Sequence, residues 1–378
     1  MVGLERSIVP AIAETEFNMA ARTAMLSFIA VFGVTKAFTN YFAGHLADSI
    51  GRKKLLVVGW LLAAPVPFLL LAAPSWSWVI AANMFLGVSQ GLTWSSTVIM
   101  KIDLVEQKYR GLAMGLNEFA GYGGLATMAW LTGYLAKMYG LRPTPLYPGI
   151  VLVIAGLVLS ASLTRETLEL ARKEQAADGD HQNAAPSAKE IFVRTSFTDR
   201  DLSSASQAGL VTNLKDGMAW GLFPIFFASA GMGIGQVGAL TAIYPAVWGI
   251  LQLLTGPLSD RVGRKTLIMW GMWVQAAALV AISFQDQFWS FAAGAALLGA
   301  GTAMAYPVLL AVVSDIAEPA WRGSALGIYR FWRDSGYAVG ALTTGIIADN
   351  FGLEASILVV AGIAFVSGLI VMTRLHQA

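Results

Sequence analysis

The 378-residue chain contains no cysteine, which excludes disulfide scaffolds, thiolate metal centres and cysteine nucleophiles. Histidine is nearly absent: His45, His181 and His376 are widely spaced, and a histidine-rich metal site is not expected. Charge is scarce too, with 13% Asp, Glu, Lys and Arg against roughly 25% in a soluble globular protein. A net charge of +2 gives no basis for nucleic-acid binding. No nucleophile–base pair or cofactor motif stands out, so neither an enzyme nor a cofactor is expected.

In their place stand long apolar runs. Hydrophobic residues make up 56% of the chain, and a helix needs about 20 in succession to cross the hydrocarbon core of a bilayer. Eleven stretches qualify: Arg22–Leu46, Leu55–Ala73, Trp78–Met100, Gly111–Ala136, Tyr147–Leu163, Gln207–Ala228, Val237–Leu258, Thr266–Phe284, Phe288–Val313, Gly323–Ala348 and Leu353–Thr373. The opening residues, through Ile12, are too short for a span, and Glu5 and Arg6 interrupt any signal-peptide core. Gly3 and Pro10 nevertheless keep the spacing of Gly217 and Pro224, which close the first span of the second half. The start is therefore expected to be the outer end of a first span whose earlier part is absent, the alternative being a short external arm.

The chain is internally duplicated. Gly44–Lys54, GHLADSIGRKK, returns as Gly256–Lys265, GPLSDRVGRK, with Asp48 and Asp260, Gly51 and Gly263, Arg52 and Arg264, and Lys53 and Lys265 each 212 residues apart. Gly87 and Gly299, Asp103 and Asp315, Glu106 and Glu318, and Arg110 and Arg322 keep the same offset, across loops as well as helices. Repeats of this kind mark transporter folds. Between the copies lies the only long polar stretch, 164–206, in which TRETLELARKEQ suits a short surface helix and DGDHQNAAPS a disordered segment. The expected organisation is an all-α membrane protein. An N-terminal bundle (1–163) has five complete spans and one partial one, a linker covers 164–206, and a six-span bundle follows at 207–378.

Positive charge gives the orientation. Of 25 Lys and Arg, 17 fall on the side of the two Gly-Arg-Lys loops, while Arg6, Arg22, Lys137 and Arg142 are assigned to the other. The positive-inside rule makes the richer side cytoplasmic, so linker and C-terminus are expected inside.

At each repeated loop a helix must end, turn within a few residues and restart. Gly51 and Gly263 relieve the steric limits of that turn, and the following Arg and Lys hold the corner at an anionic leaflet surface. Those needs do not explain an Asp at the same place in both copies. Gly44, Asp48, Gly51, Arg52 and Lys53, with Gly256, Asp260, Gly263, Arg264 and Lys265, resemble the doubled G-x-x-x-D-x-x-G-R-K signature of the major facilitator superfamily of secondary transporters. The resemblance covers almost the whole chain. It implies two six-helix bundles related by a pseudo-twofold axis around a central cavity, with alternating access by rocking. It also implies that Asp48, Arg52, Asp260 and Arg264 latch helices together on the cytoplasmic side. Drug antiporters of the family often carry R-x-x-Q-G in the fourth span and G-P-x-x-G-G in the fifth; here Gly87 replaces the arginine before Gln90-Gly91, and GYGG at Gly121–Gly124 lacks the proline.

A charge in the bilayer core costs about 2.5 to 3.5 kcal/mol on insertion scales and so requires a reason. Seven such residues lie within spans: Lys36, Glu118, Lys215, Asp216, Arg330, Arg333 and Asp334. Arg330, Arg333, Asp334 and Tyr337 share one helix face, as do Lys36 with Asn40 and Glu118 with Tyr122. Glu118 and Arg330 are repeat equivalents, which sets opposite charges at matching depth. The functional reading is a cavity in which Arg330, Arg333, Lys36 or Lys215 engages substrate while Glu118 or Asp216 takes up and releases a proton. The structural reading is a set of internal ion pairs, Arg333 with Asp334 or Lys215 with Asp216. With four basic and three acidic groups the seven leave the substrate class open. The chain is thus expected to be a monomeric multi-pass protein of the inner (plasma) membrane, moving a small organic solute, coupled to protons, with efflux favoured. Proton-coupled uptake and a non-transporting membrane sensor on the same fold are the alternatives.

Overall fold

Tight glycine corners joining long apolar helices dominate the observed architecture. The computed structural model describes residues 1–105, 110–170, 186–318 and 321–376; the side chains of Gly44, His45, Asp48, 110–112, Met114 and Asp260 also lie outside the description. All regular elements described are helical. The first half comprises α1 (Val2–Thr15), the single turn α2 (Arg22–Met25), α3 (Ser27–Ile50), α4 (Arg52–Ala63), α5 (Pro65–Ala72), α6 (Trp76–Leu104), α7 (Arg110–Tyr139) and α8 (Tyr147–Leu163). The second comprises α9 (Ala188–Val193), α10 (Arg200–Ser229), α11 (Ile234–Val262), α12 (Arg264–Ser283), α13 (Phe288–Ile316), α14 (Arg322–Phe351) and α15 (Leu353–Arg374).

Six segments are long and apolar enough to cross a membrane by length and composition: Arg52–Ala72, Thr144–Leu163, Ile234–Ser259, α12, α13 and α15. The other long helices, α3, α6, α7, α10 and α14, run 24 to 30 residues and are not uniformly apolar. Four of these, α3, α7, α10 and α14, carry all seven of the intramembrane charges read from the sequence. Their polar side chains are tolerable because those faces turn towards other helices rather than lipid.

Gly51 and Gly263 adopt φ of 98° and 92°, which a side chain would strain, so each stops one helix and starts the next. The third span is one helix in the second half but two in the first: Pro65 and Pro67, lacking N–H groups, separate α5 from α4. The opening residues are not an external arm. Val2, Leu4, Ile8 and Ile12 of α1 are buried in the core, and α1 packs on α7, α10 and α11. Nor does the linker run to residue 206, because α10 starts at Arg200, where the Asp199 carboxylate accepts the N–H groups of Asp201 and Leu202. Of the expected surface helix at 164–175, residues 164–170 are described and 168–170 are helical, while the remainder lies outside the described residues.

The halves join through two helix pairs, α3 with α14 and α7 with α11, supplemented by α1 against α10. These pairs frame the space in which the intramembrane charges meet.

Candidate functional site

Along both helix pairs the backbones of the two halves touch closely at the end remote from the Gly-Arg-Lys loops and stand further apart, in looser side-chain contact, towards those loops. A Cβ on Gly133 would lie 2.6 Å from the Gly238 Cα, one on Gly33 2.6 Å from the Ala338 nitrogen, and one on Gly345 2.7 Å from the Thr23 Cα. Such backbone contact requires glycine. On the loop side, a Cβ on Gly115 would come no nearer than 3.7 Å to Leu253, and one on Gly327 no nearer than 3.8 Å to the Tyr41 carbonyl. The remote end is further closed by the Asp349 carboxylate of α14, which accepts the N–H groups of Arg22 and Thr23 and the Thr23 hydroxyl from the other half.

Two carboxylates bind the halves together at mid-depth. Asp334 accepts Arg333 Nε at 2.9 Å and its NH2 at 3.0 Å, Asn213 Nδ2 at 3.0 Å, and Asn40 Nδ2 from the opposite half. Asn40 is held in turn by the Ser95 hydroxyl at 2.8 Å. Asp216 accepts Arg6 NH2 on both oxygens, at 2.8 and 2.9 Å, and the Tyr337 hydroxyl at 2.8 Å. Arg6 was assigned to the outer surface from sequence; the structure instead buries it in the membrane domain, with its guanidinium across the interface between the halves. The anticipated Lys215–Asp216 pair does not form. Neighbouring positions on a helix point apart, and Lys215 Nζ donates to Tyr244 Oη at 2.6 Å and Thr302 Oγ1 at 2.7 Å within the second half. The Arg333–Asp334 pair does form.

Among the described residues, the remaining charges keep atoms with no hydrogen-bond partner. Glu118 Oε1 accepts Trp94 Nε1 at 3.0 Å and Asn117 Nδ2 at 3.2 Å, but Oε2 is buried without a hydrogen-bond partner. Arg330 Nε is likewise buried without one. Lys36, 7% exposed, has no hydrogen bond or ion pair among the described residues; its ammonium lies over the rings of Tyr337, Phe32 and Trp94, at 5.3, 5.4 and 5.8 Å. Lys36, Arg330 and Arg333 all lie within electrostatic range of Glu118. Glu118 and Arg330, though repeat equivalents, are not directly paired. Tyr122 stacks on Trp248 across the α7–α11 interface, centroids 3.6 Å apart, with Tyr306 beside both.

At the loops, the partner visible in both copies is one the sequence reading did not assign to the site. Arg52 Nε meets Asp103 Oδ2 at 3.2 Å, tying the start of α4 to the end of α6, and Arg264 Nε meets Asp315 Oδ2 at 2.7 Å, tying the start of α12 to the end of α13. The matching offset of Asp103 and Asp315 was the signal available in sequence. The side chains of Asp48 and Asp260, like the Gly44 position, lie outside the described residues. Lys53 contributes its backbone N–H, which with that of Arg52 donates to the Glu166 carboxylate. Burial works against that carboxylate, yet the N–H groups of Arg52, Leu168, Lys53 and Thr167 outweigh it and hold Glu166 below its ordinary value. Gly256 has open space around it.

A duplicated helical bundle, closed at one end and parted towards the other around a polar centre, is the architecture of a secondary transporter. The chain belongs to the Major Facilitator Superfamily, whose family model matches residues 2–206 and again 205–377. It is similar to the multidrug resistance protein MdtG of Proteus mirabilis, 23% identical over 88% of this chain and 82% of that protein. The MdtG of Citrobacter koseri is 24% identical over 90% and 82%. Among solved structures the chain is similar to the inward-open xylose transporter XylE from E. coli, with TM-score 0.75 at 15% identity over 100% of this chain and 94% of that one. It also resembles the nucleoside transporter NupG, with TM-score 0.73 at 13% identity over 99% and 96%.

Proposed function

We propose that the protein is a proton-coupled exporter of small organic solutes, working as a monomer in the inner membrane with the Gly-Arg-Lys loops, linker and C-terminus in the cytoplasm. The observation that carries this reading is Glu118. It is a buried carboxylate with one oxygen unpartnered among the described residues, between the two halves and within range of Arg330, Arg333, Lys36 and Lys101, on the side of the seal from which the helices part. A carboxylate so placed can exchange a proton with the cleft and change the local charge that a solute meets. Asp216 and Asp334, whose oxygens are filled by cross-bundle hydrogen bonds, serve as anchors instead. The similarity to MdtG supports export, and the excess of Lys and Arg on the loop side supports the orientation.

The test is solute-driven proton movement in proteoliposomes. The wild type should show it and Glu118→Gln should lose it by at least about 10-fold while still catalysing downhill solute exchange, as expected for loss of one general acid–base group. Unchanged proton movement in Glu118→Gln removes Glu118 from the coupling role, and downhill flux without any proton movement in the wild type removes the coupling itself.

A further inference from the structure

The sequence leaves the central charge near balance; the contacts do not. Asp216 is taken by Arg6 and Asp334 by Arg333, each in a buried two-pronged or paired contact, and both pairs are electrically closed. Beyond these pairs stand Lys36, Arg330 and the less buried Lys101 against the carboxylate of Glu118, with Asp334, already bound by Arg333, the main acidic neighbour of Lys36. Lys101 donates to Asn117, the neighbour that itself donates to Glu118. Lys215 adds a further cation with only hydroxyl partners, deeper in the second half. Glu5, a further buried acid, lies beside Asn83 within the first half.

A surplus of cations over carboxylates away from water is costly, and Lys36 and Arg330 come from opposite halves, on α3 and α14. Both lie in range of Glu118, and rings surround them: Phe32, Trp94 and Tyr337 about Lys36, and Tyr306 within electrostatic range of Arg330 and under the Arg333 guanidinium at 5.2 Å. We propose that this is the binding site for an organic anion with a planar or aromatic body, its acidic group neutralising Lys36 and Arg330 and its rings lying among Trp94, Tyr306 and Tyr337. Glu118 then competes with the ligand for the same cations, so that protonation of Glu118 vacates them for the anion. The proposal rests on the exporter reading for its transport role but not for binding, which is measurable by itself.

The experiment measures binding of three compounds of one shape to the purified full-length protein in detergent, by tryptophan fluorescence and by thermal shift: naphthaleneacetate, naphthaleneacetamide and naphthylmethyl-trimethylammonium. The acetate should bind at least 10-fold more tightly than the amide, and the ammonium compound weakest. Lys36→Gln and Arg330→Gln should each remove most of the preference for acetate over amide while leaving amide binding unchanged, and Lys36→Arg should restore it. A variant with lost amide binding as well is scored as misfolded, and the Lys36→Arg and wild-type comparisons then decide. Tightest binding by the ammonium compound, equal binding of all three, or binding of none overturns the proposal. Acetate binding without proton-driven transport would leave the anion site standing and sink the exporter reading.

Discussion

At the scale of single residues, the same chemistry plays opposite roles according to its partners. Asp216 and Glu118 are both buried acids in the membrane domain, but Asp216 has a guanidinium and a phenol on its oxygens whereas Glu118 keeps one oxygen free. Removing the partner of a closed buried pair leaves a bare charge and costs about 3 to 5 kcal/mol. Arg6→Ala should therefore lower thermal stability sharply, and Arg6→Ala with Asp216→Ala should recover part of the loss; equal Tm values for wild type and Arg6→Ala would contradict the pairing. Lys36, with aromatic faces and no ion pair, should behave differently, Lys36→Gln leaving Tm within a few degrees of wild type. All seven span charges were legible in sequence because each is an exception in an apolar run. Their sorting into closed pairs and open groups was not, since it depends on Arg6, a residue that local sequence places near a terminus.

At the scale of elements, the two loop corners are copies in sequence but not in strength. The Arg52–Asp103 pair is 5% and 8% exposed and is extended by the Thr167 hydroxyl on Asp103, whereas Arg264–Asp315 is 22% and 43% exposed. Buried pairs are costly to break and exposed ones contribute about 0 to 1 kcal/mol. Arg52→Ala should thus reduce stability and transport more than Arg264→Ala, measured side by side in detergent melts and vesicle flux. The linker start adds an acid response at the first corner. The Glu166 carboxyl is held below its ordinary value by backbone N–H groups, so its contribution is complete above the unfolded value and is lost as pH falls through the lower, folded one. Protection of the Arg52 and Lys53 amides against hydrogen exchange, corrected for the intrinsic pH dependence of exchange, should fall once pH drops below the ordinary carboxylate range, and should be low already at neutral pH in Glu166→Ala. Exchange indifferent to that substitution would show that the carboxylate does not hold the corner. The repeat arithmetic pointed to Asp103 and Asp315, while Glu166, which has no described counterpart in the second half, could be found only by its position against Gly51.

At the scale of the whole molecule, backbone contact at glycines seals one end and its absence opens the other. Gly133 and Gly238 face each other where any side chain would drive α7 and α11 apart. Overpacking costs about 1 to 3 kcal/mol, and here that cost falls only on the arrangement with this end closed. Gly133→Leu should shift the population towards the opposite opening and reduce flux by at least about 10-fold, whereas Gly115→Leu, whose Cβ would only reach ordinary contact with Leu253, should do so far less. Because the chain has no cysteine, single cysteines introduced at Ser27 and Gly327 can report the shift by thiol labelling from the two sides.

The sequence by itself determined the all-helical membrane class, the duplication and the two corners. Those depend on hydrophobic run length, on the period of the repeat and on the conformational freedom of glycine, all of which are local. The tertiary structure alone decided which charges are closed off, which stay open, and which end of the bundle is shut. Those outcomes turn on distances between helices far apart in the chain, where a shift of one neighbour separates an anchoring ion pair from a bare charge that a ligand can meet.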